Sequence, residues 1–308
     1  MRRARSTDAA AAGTQSTPDP GPAGMTLFDD LYDQPDPRTY FRVLGTLEYQ
    51  TPHHAQGVFR RLVDNRTAQL SGPTRVLDLC CSYGINAALL NHDLTLGDLY
   101  AHYTSPQANA LSTAELIERD RAYYAAHRRR DAAPVIGLDV AAHALDYAVA
   151  VGLLEQAFAE NLETDAPSPA LRRAVRHTRL ITLTGGASFL SPRTFQPLLD
   201  AIDDPVWIAA FVLRTGSYQS IASSLESHGL VTEKAADHSF AQRRFTSAQE
   251  QQYAVEAVAA AGEDPRGRET EGYFHTTLYL SRPPEDTAAF PLTTLMQPPS
   301  PPPHRSQR

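Results

Sequence analysis

Apolar residues follow two alternating rhythms along this chain: short continuous runs, and longer stretches spaced by three and four. TRVLDLCC (74–81) is a continuous run bounded by Gly72-Pro73 and by Ser82-Tyr83-Gly84, the pattern of a central strand buried on both faces. INAALLNH follows as a short helix. Ser112 with Glu115 forms a capping box, which opens a helix over STAELIERDRAYYAAHRRR. PVIGLDV (134–140) is a second strand, and AAHALDYAVAVGLLE is its helix. QAFAEN (156–161) is a third strand, and TRLITLTGG (178–186) is a fourth that ends in two glycines. Ser191-Pro192 starts the next helix, with serine as N-cap and proline at the first position. PVWIAAFVLR (205–214) is a fifth strand, and its helix SIASSLESHGL closes on Gly229. FAQRRFT and YFHTTLYLSR complete the set as late strands, expected antiparallel at one edge.

Repeated strand–helix units predict an α/β fold: a doubly wound, mostly parallel, seven-stranded sheet of Rossmann-like kind with helices on both faces. Residues 25–290 make the expected domain. Within it, 25–70 form an N-terminal helical cap and 93–133 a helical insertion that caps the site. Residues 1–24 and the proline-rich 291–308 read as disordered tails. Ligands in such sheets bind beyond the C-terminal strand ends, at the topological switch point. The loops at Cys81–Gly84, Asp139, Asn161 and Gly185-Gly186 converge there.

Composition narrows the function. The net charge of −7 leaves no electrostatic footprint for nucleic acid, and Arg128–Arg130 read as a solvated helix end. No apolar stretch is long enough to span a membrane. The two cysteines, Cys80 and Cys81, are adjacent, so they predict neither a disulfide framework nor a zinc site, and they suit a reducing cytoplasm. A small-molecule substrate is the expected partner, no metal is expected, and a homodimer is left open.

VLDLCCSYG resembles motif I of class I S-adenosylmethionine-dependent methyltransferases: an acid, an apolar residue, then a glycine-rich loop. Asp78 stands at the acid, which in the family fixes the loop beside the methionine amino end. Cys80 and Ser82 replace the first two glycines and Gly84 keeps the third, with Tyr83 between. Asp139, ending the second strand with Val140 after it, matches the acid that accepts the ribose hydroxyls; a helix N-cap is its other reading. Asp139 lies further along than the usual ~20 residues past the loop, and the insertion accounts for the excess. The resemblance further implies Asn161 and Leu162 against adenine. It places Thr184, Gly185, Gly186 and Ser188 facing the reactive sulfonium. The (D/N)PPY pattern of enzymes that methylate adenine or amide nitrogen is absent.

Aromatic and histidine residues crowd the segments expected to cover the ligand: Tyr40, Phe41, Tyr49, His53 and His54 before motif I, and Tyr100, His102 and Tyr103 in the insertion. Tyrosine faces can hold a sulfonium cation, and a histidine can deprotonate an acceptor. Tyr40, Tyr100, His102 and Tyr103 are therefore the candidate catalytic residues. The resemblance implies a methyltransferase using S-adenosylmethionine on a small, secondary-metabolite-like acceptor. The altered glycine loop keeps two alternatives open. One is a cyclase or lyase of the azetidine-2-carboxylate synthase type, which releases methylthioadenosine. The other is a non-catalytic binding module.

Overall fold

The computed structural model describes residues 24–69 and 72–296. Five strands pair in parallel: β1 (Arg75–Leu79), β2 (Val135–Asp139), β3 (Gln156–Ala159), β4 (Thr178–Thr184) and β5 (Trp207–Leu213). Three more, β6 (Val231–Lys234), β7 (Phe240–Arg244) and β8 (Tyr273–Arg282), pair antiparallel. The sheet runs β3-β2-β1-β4-β5-β8-β6, with β7 also on β8. The expected α/β class, mostly parallel sheet and seven-strand path are present.

Two details differ from expectation. The strand YFHTTLYLSR is not at the edge. As β8 it lies between β5 and the outer strands, where its ten residues are long enough for β6 and β7 to pair end to end along one side. The segment that became β6 carried no apolar run, because it is an edge strand with an exposed-intermediate pattern.

Side chains alternate across the sheet. Val76, Leu180, Trp207 and Ala209 join one core layer, and Leu77, Leu79, Ile181, Leu183, Ile208 and Ala210 join the other. The first layer is covered by α2 (Arg38–Thr46), α3 (Thr51–Gln69), α4 (Ile85–Asn91), α5 (Leu96–Thr104), α7 (Thr113–His127) and α8 (Ala142–Ala150), with α1 (Asp29–Tyr32) and α6 (Pro106–Asn109) at its margin. The second is covered by α9 (Pro169–Val175), α10 (Pro192–Leu199) and α11 (Gln219–Ser227). The chain steps β1 to β2 to β3 in one direction and β4 to β5 in the other, so the crevice opens where the ends of β1 and β4 part.

After α12 (Ala248–Ala260) and β8, the chain continues through α13 (Pro284–Ala289) and α14 (Leu292–Met296). Leu292 and Leu295 are buried, and Arg61 Nε donates to the Leu295 carbonyl at 2.6 Å. The folded chain thus runs past residue 290, and the expected tail from 291 is corrected to that extent. The rest of that tail, like residues 1–23, lies outside the described residues. Among the described residues no helix is long and apolar enough to cross a membrane.

The insertion corrects a second expectation. It packs beneath α2 rather than over the crevice. Phe41 stacks on Tyr103 at 4.6 Å, and Arg38 Nη1 donates to the carbonyls of Ala108 and Leu111.

Candidate functional site

β1 ends at Leu79 because Cys80 turns into left-handed backbone, with φ +51°. Ser82 (φ +45°) and Gly84 (φ +73°) do the same. The loop therefore keeps a glycine-like backbone at all three motif positions, although only one holds glycine. Left-handed backbone costs a residue with a Cβ roughly 1 kcal/mol. Facing glycines make the side chains fit. A Cβ on Gly186 would sit 2.5 Å from both Cβ and Sγ of Cys80, and one on Gly137 would sit 2.7 Å from Sγ of Cys81. Burial pushes both thiols up, so neither is a thiolate at neutral pH.

Asp139 locks this loop. Its Oδ2 accepts from the Ser82 backbone N–H at 2.8 Å, and its Oδ1 accepts from the Ala141 N–H at 3.0 Å. It does not cap α8, whose N-cap is Ala141. Asp78 lies one layer below. Its Oδ1 accepts from Thr182 Oγ1 (2.7 Å) and Asn86 Nδ2 (3.0 Å), and Asn86 also donates to Thr184 Oγ1 at 2.9 Å. Burial pushes the Asp78 carboxyl up to about 7, against the pull of those two hydrogen bonds. Its Oδ2, and the nearby Ser82 Oγ, are buried without a partner. Such orphans are what a polar ligand would satisfy.

Above the loop lies a cavity of about 600 Å³, well within the range of small-molecule sites. Its two ends differ. One carries Asp139, Val140, Glu160, Asn161, Leu162 and Glu163 around β2 and β3. Glu163 ties this end to the start of α10: Ser191 N–H (2.8 Å), Ser191 Oγ (2.6 Å) and Thr194 Oγ1 (2.6 Å) all donate to it. Val140 is 66% exposed and Phe189 59%, so both present apolar surface at the rim. The other end is aromatic. Tyr32, Tyr40 and Tyr49 form an edge-to-face series with centroids 5.7 and 6.4 Å apart, and Phe28, Leu213, Gln242 and Arg243 complete it. The Tyr49 hydroxyl lies 3.2 Å from where a Cβ on Gly185 (φ +82°) would be, which fixes this end against the end of β4.

The structure brings together most of the residues singled out in the sequence. Cys80, Ser82, Asp139, Val140, Asn161, Leu162, Thr184, Gly185, Gly186, Ser188, Tyr40 and Tyr49 all line the cavity. Asp78, Tyr83 and Gly84 do not. Tyr83 points away, with its hydroxyl accepting from Gln34 N–H at 2.8 Å, and Gly84 packs on Ala148 and Leu153.

Three of the four catalytic candidates also lie elsewhere. Tyr100 donates to the Tyr49 carbonyl at 2.8 Å, behind the cavity wall. His102 Nε2 meets Asp120 at 2.6 Å, and Tyr103 meets Tyr124 at 2.8 Å, both inside the insertion. His54 packs on Phe240, and neither it nor His53 reaches the cavity lining. Asn86, Glu160, Glu163, Gln242 and Arg243 were missed. A polar residue in the first turn after the loop was the available signal for Asn86. Glu160 and Glu163 flank Asn161 and Leu162 and shared their signal, whereas Gln242 and Arg243 had none, since only the pairing of β7 brings them in.

No known family model matches this chain, and no curated protein matches it in sequence. Its fold is similar to solved S-adenosylmethionine-dependent methyltransferases at low identity. The plantazolicin methyltransferase BpumL, solved with S-adenosylhomocysteine, is 10% identical (TM-score 0.39), over 83% of this chain and 93% of that one. The precorrin-6y C5,15-methyltransferase from Geobacter metallireducens GS-15 is 10% identical (TM-score 0.35), over 73% and 86%. The N-methyltransferase NodS from Bradyrhizobium japonicum WM9 is 9% identical (TM-score 0.34), also over 73% and 86%.

Proposed function

We propose that this chain binds S-adenosylmethionine in the cavity and methylates a small molecule held at the aromatic end. One observation carries the reading. A left-handed loop after β1 is held by the acid that ends β2, and both face the cavity at the switch point. When bound, the cofactor supplies a methyl group on an electrophilic sulfonium.

Asp139 has lone pairs left to accept ribose hydroxyls after its two backbone bonds. Val140 and Leu162 offer apolar surface to a base. Ser82 Oγ is the unsatisfied group of the cavity lining on the methionine side. Thr184, Gly185 and Tyr49 bound the place where transfer would occur, and catalysis there rests on alignment of donor and acceptor. The two chemically distinct ends favour a second molecule in the site, and so favour transfer over cyclisation of the cofactor on itself.

Calorimetric titration with S-adenosylhomocysteine tests the reading. A binding isotherm lost in Asp139→Ala supports it, and no heat from either S-adenosylhomocysteine or S-adenosylmethionine refutes it. Mass analysis of the nucleoside product then separates the chemistries, because methylthioadenosine would mean cyclisation.

A further inference from the structure

The charge around the cavity is one-sided. Among the described residues lining it, Asp33, Asp139, Glu160 and Glu163 are acids, no lysine or histidine is present, and Arg243 is the one cation. Arg243 is already spent. Its Nη1 and Nη2 grip Glu250 at 2.9 and 2.8 Å, and its guanidinium lies 5.1 Å from the Phe28 ring centroid and 4.7 Å from that of Phe274. Glu250 is held in turn by the N–H groups of Thr26 (2.8 Å) and Thr246 (2.7 Å). An anionic acceptor would therefore find no free cation.

Among the described residues, no base stands free at the aromatic end: Asp33, beside Tyr32, accepts the His143 N–H at 2.7 Å and faces its Nδ1 at 3.2 Å. Burial raises the hydroxyls of Tyr40 and Tyr49, so they stay protonated at neutral pH and cannot take a proton. Asn86, Thr184 and Gln242 are neutral. A hydroxyl acceptor must lose its proton as it attacks, and none of these tyrosine, amide and threonine groups can receive it. What this end does offer is a set of tyrosine faces, and these attract cations.

We infer that the aromatic end accepts a nitrogen nucleophile, an amine in its free-base form, and excludes carboxylate acceptors. This inference rests on the methyl-transfer reading above. In the step, the nitrogen lone pair attacks the methyl carbon and the carbon–sulfur bond breaks with its electron pair staying on sulfur. The nitrogen becomes a methylated ammonium, and the tyrosine faces stabilise that charge. No proton leaves during the attack; the product gives it to water after release.

The test uses the full chain saturated with S-adenosylhomocysteine. It is titrated with benzyltrimethylammonium, which imitates a methylated amine product, and separately with phenylacetate. The cation should bind at least about tenfold tighter. Tyr40→Phe should keep that preference, because the ring face remains, and Tyr40→Leu should lose most of it. Glu250→Gln should raise phenylacetate affinity by releasing Arg243; if that variant does not fold, the unmodified protein still decides. Equal or tighter binding of phenylacetate, no binding of the cation, or an unchanged preference in Tyr40→Leu overturns the inference. Absence of S-adenosylhomocysteine binding at the outset would instead overturn the methyl-transfer reading itself.

Discussion

Gly186→Ala isolates one contact of the loop after β1. Gly186 has φ −90°, which alanine adopts freely, so the backbone adds no strain. The new Cβ would sit 2.5 Å from Cys80 Cβ and Sγ. Rotating the Cys80 side chain can move Sγ but not Cβ, so the loop or the end of β4 must shift. Overpacking of this kind costs about 1–3 kcal/mol. At 2–4 °C per kcal/mol for a chain near this size, the melting temperature should fall by about 2–12 °C. Cys80→Gly alone should be near neutral, because relief at φ +51° offsets the added freedom of the unfolded chain. The double variant Cys80→Gly/Gly186→Ala should then recover to within about 1 kcal/mol of the unmodified protein. Urea unfolding of all four proteins gives the coupling energy, expected at 1 kcal/mol or more. Additive effects, or a Gly186→Ala protein as stable as the parent, would refute the argument that this glycine exists to make room for Cys80.

Three further outcomes follow from the same geometry. The Asp78 carboxyl is raised from 3.8 to about 7, so its contribution is most favourable below pH 4 and is lost as pH rises through 7; Asp78→Asn should abolish roughly 4 kcal/mol of that decline, read from urea unfolding between pH 4 and 8. Glu250 moves the other way, to about 2: burial opposes the shift, but the bonds from Arg243, Thr26 and Thr246 outweigh it, so its contribution is present above pH 4.5 and should fade as pH falls toward 2, a fade absent in Glu250→Gln. Tyr147→Phe removes the hydroxyl that donates to buried Asp120 and should cost about 1–3 kcal/mol in stability, while S-adenosylhomocysteine affinity stays unchanged by calorimetry because neither residue lines the cavity.

The central strands β1, β2, β4 and β5 were legible because each is a short, largely apolar run, while β6 and the inner place of β8 were not, since an apolar run does not state its neighbours. Asp139 was legible because an acid ends such a run just before a helix. The aromatic crowd was only half legible. Tyr40 and Phe41 are neighbours in sequence, but successive positions on a helix point about 100° apart. On α2 this sends Tyr40 to the cavity and Phe41 to Tyr103 in the insertion. The crowd is one connected cluster in space with α2 running through it. Sequence proximity cannot say which side of the helix a given ring takes. The insertion does leave and return near the expected edge, but α2 stands between it and the ligand space. Gln242 and Arg243 had no local pattern to betray them, since their positions depend on how β7 pairs.

The replaced glycines look different once the fold is known. A glycine at position 80 or 82 would give the loop its left-handed turn cheaply, but would leave it freer in the unfolded chain. Cysteine and serine cost roughly 1 kcal/mol each in that backbone, and three features hold them there. Gly137 and Gly186 open space for the sulfurs, Asp139 holds the Ser82 N–H, and the Leu138 carbonyl accepts from Cys80 N–H at 2.8 Å. The room for the two sulfurs comes from outside the loop, from Gly137 on β2 and from Gly186 just past the end of β4. The left-handed turn is thus held by its neighbours and not by glycine freedom at positions 80 and 82.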